Sequence, residues 1–291
     1  MKNLYALLLG ILLIPFFANS QQCSPISTLD CDAVVKPLPI NLDFSNGVSN
    51  TLLDLNGNGT GFTAVLEHSE SRRTVDISPP SNTDVNGYEP SLLELRDGSL
   101  EVTSQAGIAY LDPPASSNNN NQVNTLGIGI DDFSRPFNIK TSLLNIVTGG
   151  SAAQAGIWFG FDEDNFVKLN VNNNNIELRV ESGGASANSA QLKQTGLGAS
   201  GNTIVLELLV DPNTSNVEAF YTIGTGTRIS LGELALPNNY FIGRSLSPSN
   251  SQVSFAGIYT THRNGTQFVA SFDNFSVEEV NGAPEITNTT S

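Results

Sequence analysis

Several residue types that support common chemistries are scarce in this chain of 291 residues. It has two cysteines, two histidines, one methionine and one tryptophan, and only 14% of its residues are charged. Thirteen basic residues stand against 28 acidic ones, giving a formal net charge of −15. This charge repels nucleic-acid phosphates and anionic lipids, so we expect neither as a partner. Gly-x-Ser-x-Gly, His-Glu-x-x-His and Cys-x-x-Cys are also absent, which removes common signatures of hydrolases, zinc enzymes and redox proteins.

Long apolar runs are missing after the first 20 residues. Lys2 precedes the apolar residues 4–17, and Ala-Asn-Ser follows at 18–20, which is the three-part layout of a secretory signal peptide. The run is shorter than the roughly 20 residues that a membrane-spanning helix needs, although an uncleaved anchor is the alternative. The sequence therefore predicts a signal peptide at 1–20. It also predicts a secreted or cell-surface protein with no membrane span once the signal is removed.

The two cysteines lie close together just after this predicted signal. Cys23 and Cys31 belong to a polar lead-in, residues 21–37. Because exported proteins meet an oxidising environment, we expect a Cys23–Cys31 disulfide that closes a short loop. Two unpaired thiols are the alternative interpretation.

Residues 38–281 have the texture of one all-β domain. Short apolar or alternating runs are separated by Gly, Asn, Asp, Ser and Pro, and no long segment has a helical period. Strands at this spacing with no helices between them favour a sandwich or a barrel. Segments rich in Ser, Asn and Pro near 68–91 and 112–124 predict long surface loops, and residues 282–291 read as a tail or linker.

Alternation along four predicted strands separates two faces. In the strands near 155–162, 165–171, 176–181 and 255–262, one set of alternate residues is mainly apolar. The opposite set includes Trp158, Lys168, Arg179 and Tyr259, which we predict to line a shallow sugar-binding groove. Aromatic rings beside charged hydrogen-bonding groups suit such a ligand. The alternative is that Trp158 packs beneath a long loop.

A calcium site is predicted at a loop rich in glycine and asparagine. Asp54, Asn56 and Asn58, followed by a glycine, repeat the spacing of oxygen ligands in the first half of a calcium loop. The twelfth position of such a loop needs an acid, but Val65 stands there, so the loop is not an EF-hand. A simple turn between two strands is the alternative.

Four segments carry a resemblance to a known superfamily. They are "DLNGNGTGF" at 54–62, "AGIWFGFDEDNFVKLNV" at 155–171, "AGIYTTHRN" at 256–264 and "FDNFSV" at 272–277. With them the chain resembles the concanavalin A-like lectin/glucanase superfamily, especially laminin-G-like modules of secreted Bacteroidetes-type proteins. The resemblance covers roughly residues 38–281 and implies a two-sheet jelly roll. Its members include lectins, adhesion modules, glycanases and alginate lyases, so the fold does not choose a function.

A second calcium site follows from the resemblance. Asp43 and Asp273 lie on the first and last predicted strands, which commonly pair in sandwiches of this kind. Related modules often hold a structural cation at that place. The alternative is that both residues are exposed strand acids.

The sequence gives little support for catalysis. Glucanases that resemble this chain carry a Glu-x-Asp-x-x-Glu strand, and alginate lyases carry Gln-Ile-His and Arg-rich strands; neither pattern is present. The nearest acidic cluster, at 162–164, falls in a predicted turn. We therefore expect a non-catalytic, lectin-like module for glycan binding or cell-surface adhesion. The alternatives are a purely structural domain of a larger surface protein and a polysaccharide-cleaving enzyme with an unrecognised site.

Overall fold

The computed structural model describes most of the predicted domain and none of its leader. The described residues are 35–45, 47, 52–65, 87–107, 109, 122–144, 150, 152–185, 187–197, 202–241 and 253–280. The predicted signal peptide, the Cys23–Cys31 disulfide, the tail and most of both long loops lie outside them, so these stay predictions. Within the described part, no helix is long and apolar enough to cross a membrane.

Fifteen β-strands account for the regular structure of the described residues, with three short 3₁₀ turns at Pro90–Leu92, Asn188–Ala190 and Asn238–Tyr240. The strands are β1 (Ile40–Leu42), β2 (Ala64–Val65), β3 (Leu93–Arg96), β4 (Ser99–Thr103), β5 (Leu126–Ile130), β6 (Phe137–Leu143), β7 (Gln154–Asp162), β8 (Asn165–Asn172), β9 (Asn175–Glu181), β10 (Gln191–Thr195), β11 (Ile204–Asp211), β12 (Asn216–Ile223), β13 (Ile229–Ala235), β14 (Ser254–Thr261) and β15 (Val269–Glu279).

These strands form two antiparallel sheets. One has eight strands, in the order β13-β12-β11-β6-β15-β4-β3 with β1 added beside β15, and the other has seven, in the order β10-β9-β8-β7-β14-β5-β2. Every pair of neighbouring strands is antiparallel. The prediction of an all-β, two-sheet antiparallel sandwich is confirmed.

The alternation read from the sequence places the core between the sheets. On β7 the side chains of Ala155, Ile157 and Phe159 are completely buried in a core that draws on both sheets. The matching apolar residues of β8, β9 and β14 join them. Since successive strand residues point to opposite sides, the intervening residues form the outer face of the seven-stranded sheet. The predicted assignment of faces is therefore correct.

Local turn chemistry agrees with the sequence where strands reverse. Asp97 and Gly98 join β3 to β4 with φ angles of 52° and 78°, the backbone that a type I′ hairpin requires. The first and last strands also pair as expected, with Ile40 opposite Val277 and Leu42 opposite Phe275.

Candidate functional site

The outer face of the seven-stranded sheet carries its own small cluster of buried apolar side chains. The members are Ala64, Trp158, Phe166, Val253, Phe255 and Tyr259, and they are separate from the main core. A sheet face turned fully to water would not bury so many rings. These side chains therefore form a packed layer on the outer face. All four predicted ligand-binding residues lie on the same face.

Trp158 lies across two neighbouring strands rather than standing up from the sheet. It is opposite Gly257 of β14, which is in turn opposite Gly127 of β5. The indole N–H donates to the backbone oxygen of Leu126 at 3.0 Å, and a Cβ on Gly127 would come within 3.1 Å of the ring. The row of glycines thus makes the space in which the indole lies.

The open aromatic groove expected from the sequence is corrected by these contacts. Trp158 is 2% exposed and Tyr259 is 3% exposed, because the indole covers the glycine row and both rings pack in the outer cluster. Neither ring presents a free face to solvent. Instead, both contribute to the wall of a pocket.

This pocket is a partly open recess of about 10 Å³ on the outer face, roughly the room that one water molecule needs. Its walls combine three aromatic rings with polar side chains, namely Ala109, Gln122, Thr125, Trp158, Phe166, Lys168 and Tyr259. Thr125 is 4% exposed, and its hydroxyl oxygen has no hydrogen-bond partner among the described residues. An apolar lining with a few convergent polar groups is typical of small-molecule sites, but such sites enclose about 300–1,000 Å³, so this recess can take a single group of a ligand and not a whole sugar ring.

Lys168 places its ammonium group at the wall of the pocket between two rings. The Nζ atom is 5.5 Å from the ring centre of Phe166 and 5.6 Å from that of Tyr259, within the range of cation–π attraction. It donates to Gln154 Oε1 at 3.1 Å, and the Tyr259 hydroxyl donates to the same oxygen at 3.3 Å. Gln154 therefore fixes both groups relative to each other.

Burial dominates the electrostatics of this lysine. Loss of solvation lowers the pKa of Lys168 to about 8, against the opposing attraction of Glu181 and Glu177. The nearby cations Arg179 and Arg263 lower it further. The ammonium is thus held charged near neutral pH, but less firmly than a lysine in water.

Arg179 belongs to a second polar group beside the pocket. On β9 it lies opposite Lys168, and its guanidinium reaches Gln191 Oε1 at 3.4 Å and Glu177 Oε1 at 3.9 Å. Gln191 in turn donates to Glu177 Oε2 at 2.8 Å. The register of β8 and β9 places Arg179 next to Lys168, beside the pocket and not in its wall.

Glu181 is a buried acid of the outer face. It is 2% exposed, and its Oε1 atom has no hydrogen-bond partner in the described part of the chain. Burial raises the pKa of Glu181 to about 7, with Lys168 acting in the opposite direction. Burial thus favours the neutral form of this carboxyl group.

Sequence reasoning did not single out Gln154, Glu177, Glu181 or Gln191 as site residues. The alternation had already placed Glu177 and Glu181 on the outer face with Arg179. What it lacked was the register between β8, β9 and β10, which brings these polar groups into one network. The separations in sequence between these residues and Lys168 do not indicate that their side chains meet.

The predicted calcium ligand Asp54 has a complete set of backbone partners. Its Oδ1 atom accepts N–H groups from Asn56 at 3.0 Å and Asn58 at 2.7 Å, and its Oδ2 atom accepts from Leu95 at 3.1 Å. The side chain is 3% exposed. Asp54 therefore closes its own turn and fastens it to β3.

Replacing Asp54 with alanine should destabilise the protein by about 1–2 kcal/mol, as loss of a capping acceptor does. The expected result is a lower midpoint of urea denaturation, equal in calcium and in a chelator. Asn56→Ala is the matched control, because its backbone N–H still donates. A loss that appears only in calcium would instead assign a cation to this loop.

The second predicted pair lies at the junction of the first and last strands. Asp43 follows β1 and Asp273 is in β15, where a register shift interrupts pairing with β6. Both residues are exposed, and Asp43 Oδ1 accepts the Ser45 N–H at 3.0 Å, which lowers its pKa. No group of three or more His, Cys, Asp or Glu side chains suited to a metal occurs in the described residues. Calcium binding stays a prediction at both places.

Comparison with known proteins finds likeness in structure only. No protein-family model matches the chain, and no curated protein matches its sequence. A GH43 protein from Bacillus licheniformis aligns over 67% of this chain and 36% of its own, with a TM-score of 0.53 and 15% identity. The Bacteroides ovatus xyloglucan PUL GH43B protein aligns over 67% and 36%, with a TM-score of 0.51 and 15% identity.

A xylan β-1,4-xylosidase from Bacillus halodurans C-125 is similar over 66% of this chain and 35% of its own, with a TM-score of 0.50 and 17% identity. The chain thus spans about a third of the length of these proteins. At identities this low the likeness is one of fold. The narrower resemblance to laminin-G-like modules stays a prediction.

Proposed function

We propose that this protein is an exported, non-catalytic module that binds a glycan on the outer face of its seven-stranded sheet, over this pocket. The observation that carries the proposal is the composition of the pocket wall. Three aromatic rings line it together with an amide, a hydroxyl and an ammonium group, Gln122, Thr125 and Lys168. Sugars offer C–H faces to aromatic rings and hydroxyl groups to polar side chains, so this mixture suits them.

The Thr125 hydroxyl supports a polar ligand rather than an apolar one. It is buried without a hydrogen-bond partner among the described residues, which costs the folded protein free energy. A ligand hydroxyl in the pocket would supply the missing partner. An apolar ligand would leave that cost in place.

The outer face gives no comparable support for glycoside hydrolysis. A glycosidase needs two carboxyl groups that flank the scissile bond with room for a sugar between them. Glu177 and Glu181 are on one strand, but Arg179 stands between them and Lys168 lies opposite Arg179. The space between the two acids is therefore taken by cations of the protein itself.

The similar structures are consistent with a carbohydrate context. Their names include a xylan β-1,4-xylosidase and a protein of a xyloglucan locus, and this chain matches only about a third of each. We propose that this chain shares a carbohydrate-related role with them, without their whole activity. A purely structural or adhesive domain remains the second candidate, and it predicts no affinity for any sugar.

Thr125→Val should weaken glycan binding while leaving the fold as stable as before or more stable. Valine keeps the shape of threonine but removes the unpartnered hydroxyl, so a lost ligand hydrogen bond should raise Kd about tenfold. The test is a glycan array with the full chain. It is followed by calorimetric titration of the variant with the best-bound glycan.

Thr222→Val is the matched control, since this half-buried threonine lies on β12 of the other sheet. It should bind glycan like the unaltered protein. Absence of binding across the array would contradict the proposal and leave the structural domain. Unchanged affinity in Thr125→Val would move the site away from the pocket.

A further inference from the structure

Resting on the proposed function, we infer that the outer-face pocket selects glycans that carry acetyl groups, with the acetyl methyl in the recess and the acetyl carbonyl oxygen at the Thr125 hydroxyl. The inference stands on the size of the recess, on the apolar character of its walls and on one buried hydroxyl group. It goes beyond glycan binding because it names the substituent that the glycan carries.

The recess has room for one small group. Its volume of about 10 Å³ is roughly what one water molecule needs, and a methyl group is of similar size. A sugar ring is much larger, so the ring must stay outside the recess, over the outer face of the sheet. Only a substituent that projects from the ring can enter.

The walls of the recess favour a methyl group. The rings of Trp158, Phe166 and Tyr259 and the methyl side chain of Ala109 make most of the lining. A well-held buried water needs about two to four polar partners, and walls of this kind offer few. Replacing a poorly held water with an apolar group increases affinity. A substituent that ends in a methyl group therefore suits this lining.

The Thr125 hydroxyl distinguishes an acetyl group from a plain methyl group. Thr125 lies in the pocket wall, and its hydroxyl oxygen has no hydrogen-bond partner among the described residues. A threonine hydroxyl can donate a hydrogen bond, and the carbonyl oxygen of an acetyl group is an acceptor next to the methyl. An acetyl group would thus pair with the hydroxyl while its methyl fills the recess. The methyl of a 6-deoxy sugar would leave the hydroxyl unpaired.

The charges near the recess agree with a neutral substituent. Glu181 and Glu177 act on the Lys168 ammonium more strongly than Arg179 does, so acids of the protein already oppose its charge. An acetyl ester or an acetyl amide carries no charge and needs no cation beside it. Binding should therefore change little with added salt, because salt screens only contacts between charges.

The experiment compares acetylated glycans with counterparts that lack the acetyl group, using the full chain. Acetylated xylan carries acetyl esters, and alkali-treated xylan is its counterpart. Chitin oligosaccharides carry acetyl amides, and cello-oligosaccharides have hydroxyl groups in their place. We expect the acetylated member to bind about tenfold more tightly, as a methyl group in a fitting apolar pocket allows. A preference in either pair supports the inference and assigns the ester or the amide.

The other outcomes separate this inference from the proposed function. Equal binding of both members in each pair would overturn the inference and leave glycan binding intact. A preference for fucose or rhamnose glycosides over every acetylated glycan would assign a methyl group alone, which also overturns it. Binding to no glycan would remove the proposed function and the inference with it.

Ala109→Leu should abolish the preference for acetylated glycans while the counterparts still bind. The larger side chain would fill the recess from its wall, so the acetyl methyl alone would lose its place. Ala235→Leu is the matched control, because Ala235 is an exposed alanine of β13 on the other sheet. An unchanged preference in Ala109→Leu would overturn the assignment to this recess.

A second readout uses the unaltered protein and does not depend on how well a variant folds. In saturation-transfer NMR, the ligand protons nearest to the protein receive the most magnetisation. The acetyl methyl protons should therefore show the largest fractional effect of all protons of the bound glycan. A smaller effect at the acetyl methyl than at the ring protons would overturn the inference.

Discussion

Replacing Gly257 with alanine is expected to destabilise the protein by about 3 kcal/mol, the upper range for overpacking a well-filled site. A Cβ at this position would overlap the backbone oxygen of Leu126 and come within 2.8 Å of the Cα of Gly127. Both atoms belong to the adjacent strand β5, so no side-chain rotation can relieve the contact. The Leu126 oxygen also accepts the Trp158 indole N–H, so the outer cluster would shift with it.

Gly98→Ala is the control for the general effect of adding a methyl group to a glycine. Gly98 lies in the β3–β4 turn at a φ of 78° with nothing within 4 Å of its Cβ position, so only backbone strain of about 1 kcal/mol opposes alanine. Urea denaturation of both variants gives the comparison. Equal losses of stability would mean that β5 and β14 can move apart, and that the glycine row is not what seats the indole.

The two faces of the seven-stranded sheet were predictable because they depend on local alternation alone. The orientation of Trp158 was not. It follows from Gly127 and Gly257, which are far from each other in sequence and meet only through the pairing of β5 with β14. Alternation correctly placed Trp158 on the outer face. The indole lies flat there because the neighbouring glycines have no side chains to hold it away from the sheet.

The loop at Asp54 shows a different limit of sequence reasoning. An aspartate followed by asparagines and glycine suits a calcium loop and a hydrogen-bonded turn equally well. The structure adds a contact that no spacing reveals, since the third donor to Asp54 is the Leu95 N–H on β3. The carboxylate was recognised as important, but its partners are backbone amides.

The polar network of the outer face could not be read from the chain for a related reason. Register between strands decides which side chains meet, and a shift of one residue would exchange the two faces. The observed register places Lys168 opposite Arg179 and Arg179 opposite Gln191. Two like charges side by side are unfavourable, and the acids on the same strand compensate them.

Glu181→Gln is expected to stabilise the protein above neutral pH. Burial raises the pKa of Glu181 from 4.5 to about 7, so the folded state holds this proton more tightly than the unfolded state. The associated stability is present below pH 4.5 and is lost as pH rises through 7. Glutamine imitates the protonated acid at every pH, so the variant should not show this loss. The charged groups that face Glu181 are Lys168, Arg179, Asp162 and Asp164.

The size of the effect follows from the shift in pKa. Each unit is worth about 1.4 kcal/mol, so the variant should exceed the unaltered protein by up to about 3 kcal/mol at pH 8 and equal it at pH 4. Urea denaturation at a series of pH values between these limits measures the difference. A constant difference across the series would show that the carboxyl group titrates normally and that its burial has little electrostatic effect.

Glu207→Gln is the matched control and should have the opposite sign. Glu207 is nearly as buried as Glu181, at 6% against 2% exposed, but it is paired with Arg228 at 3.1 Å and Lys140 at 3.8 Å on the other sheet. Removing its charge leaves two cations without their acid, which should cost about 1 kcal/mol at pH 8. Opposite signs for the two substitutions would mean that burial alone does not determine whether a carboxylate stabilises or destabilises the folded protein. Glu181 is then an acid whose neighbours compensate its burial only in part.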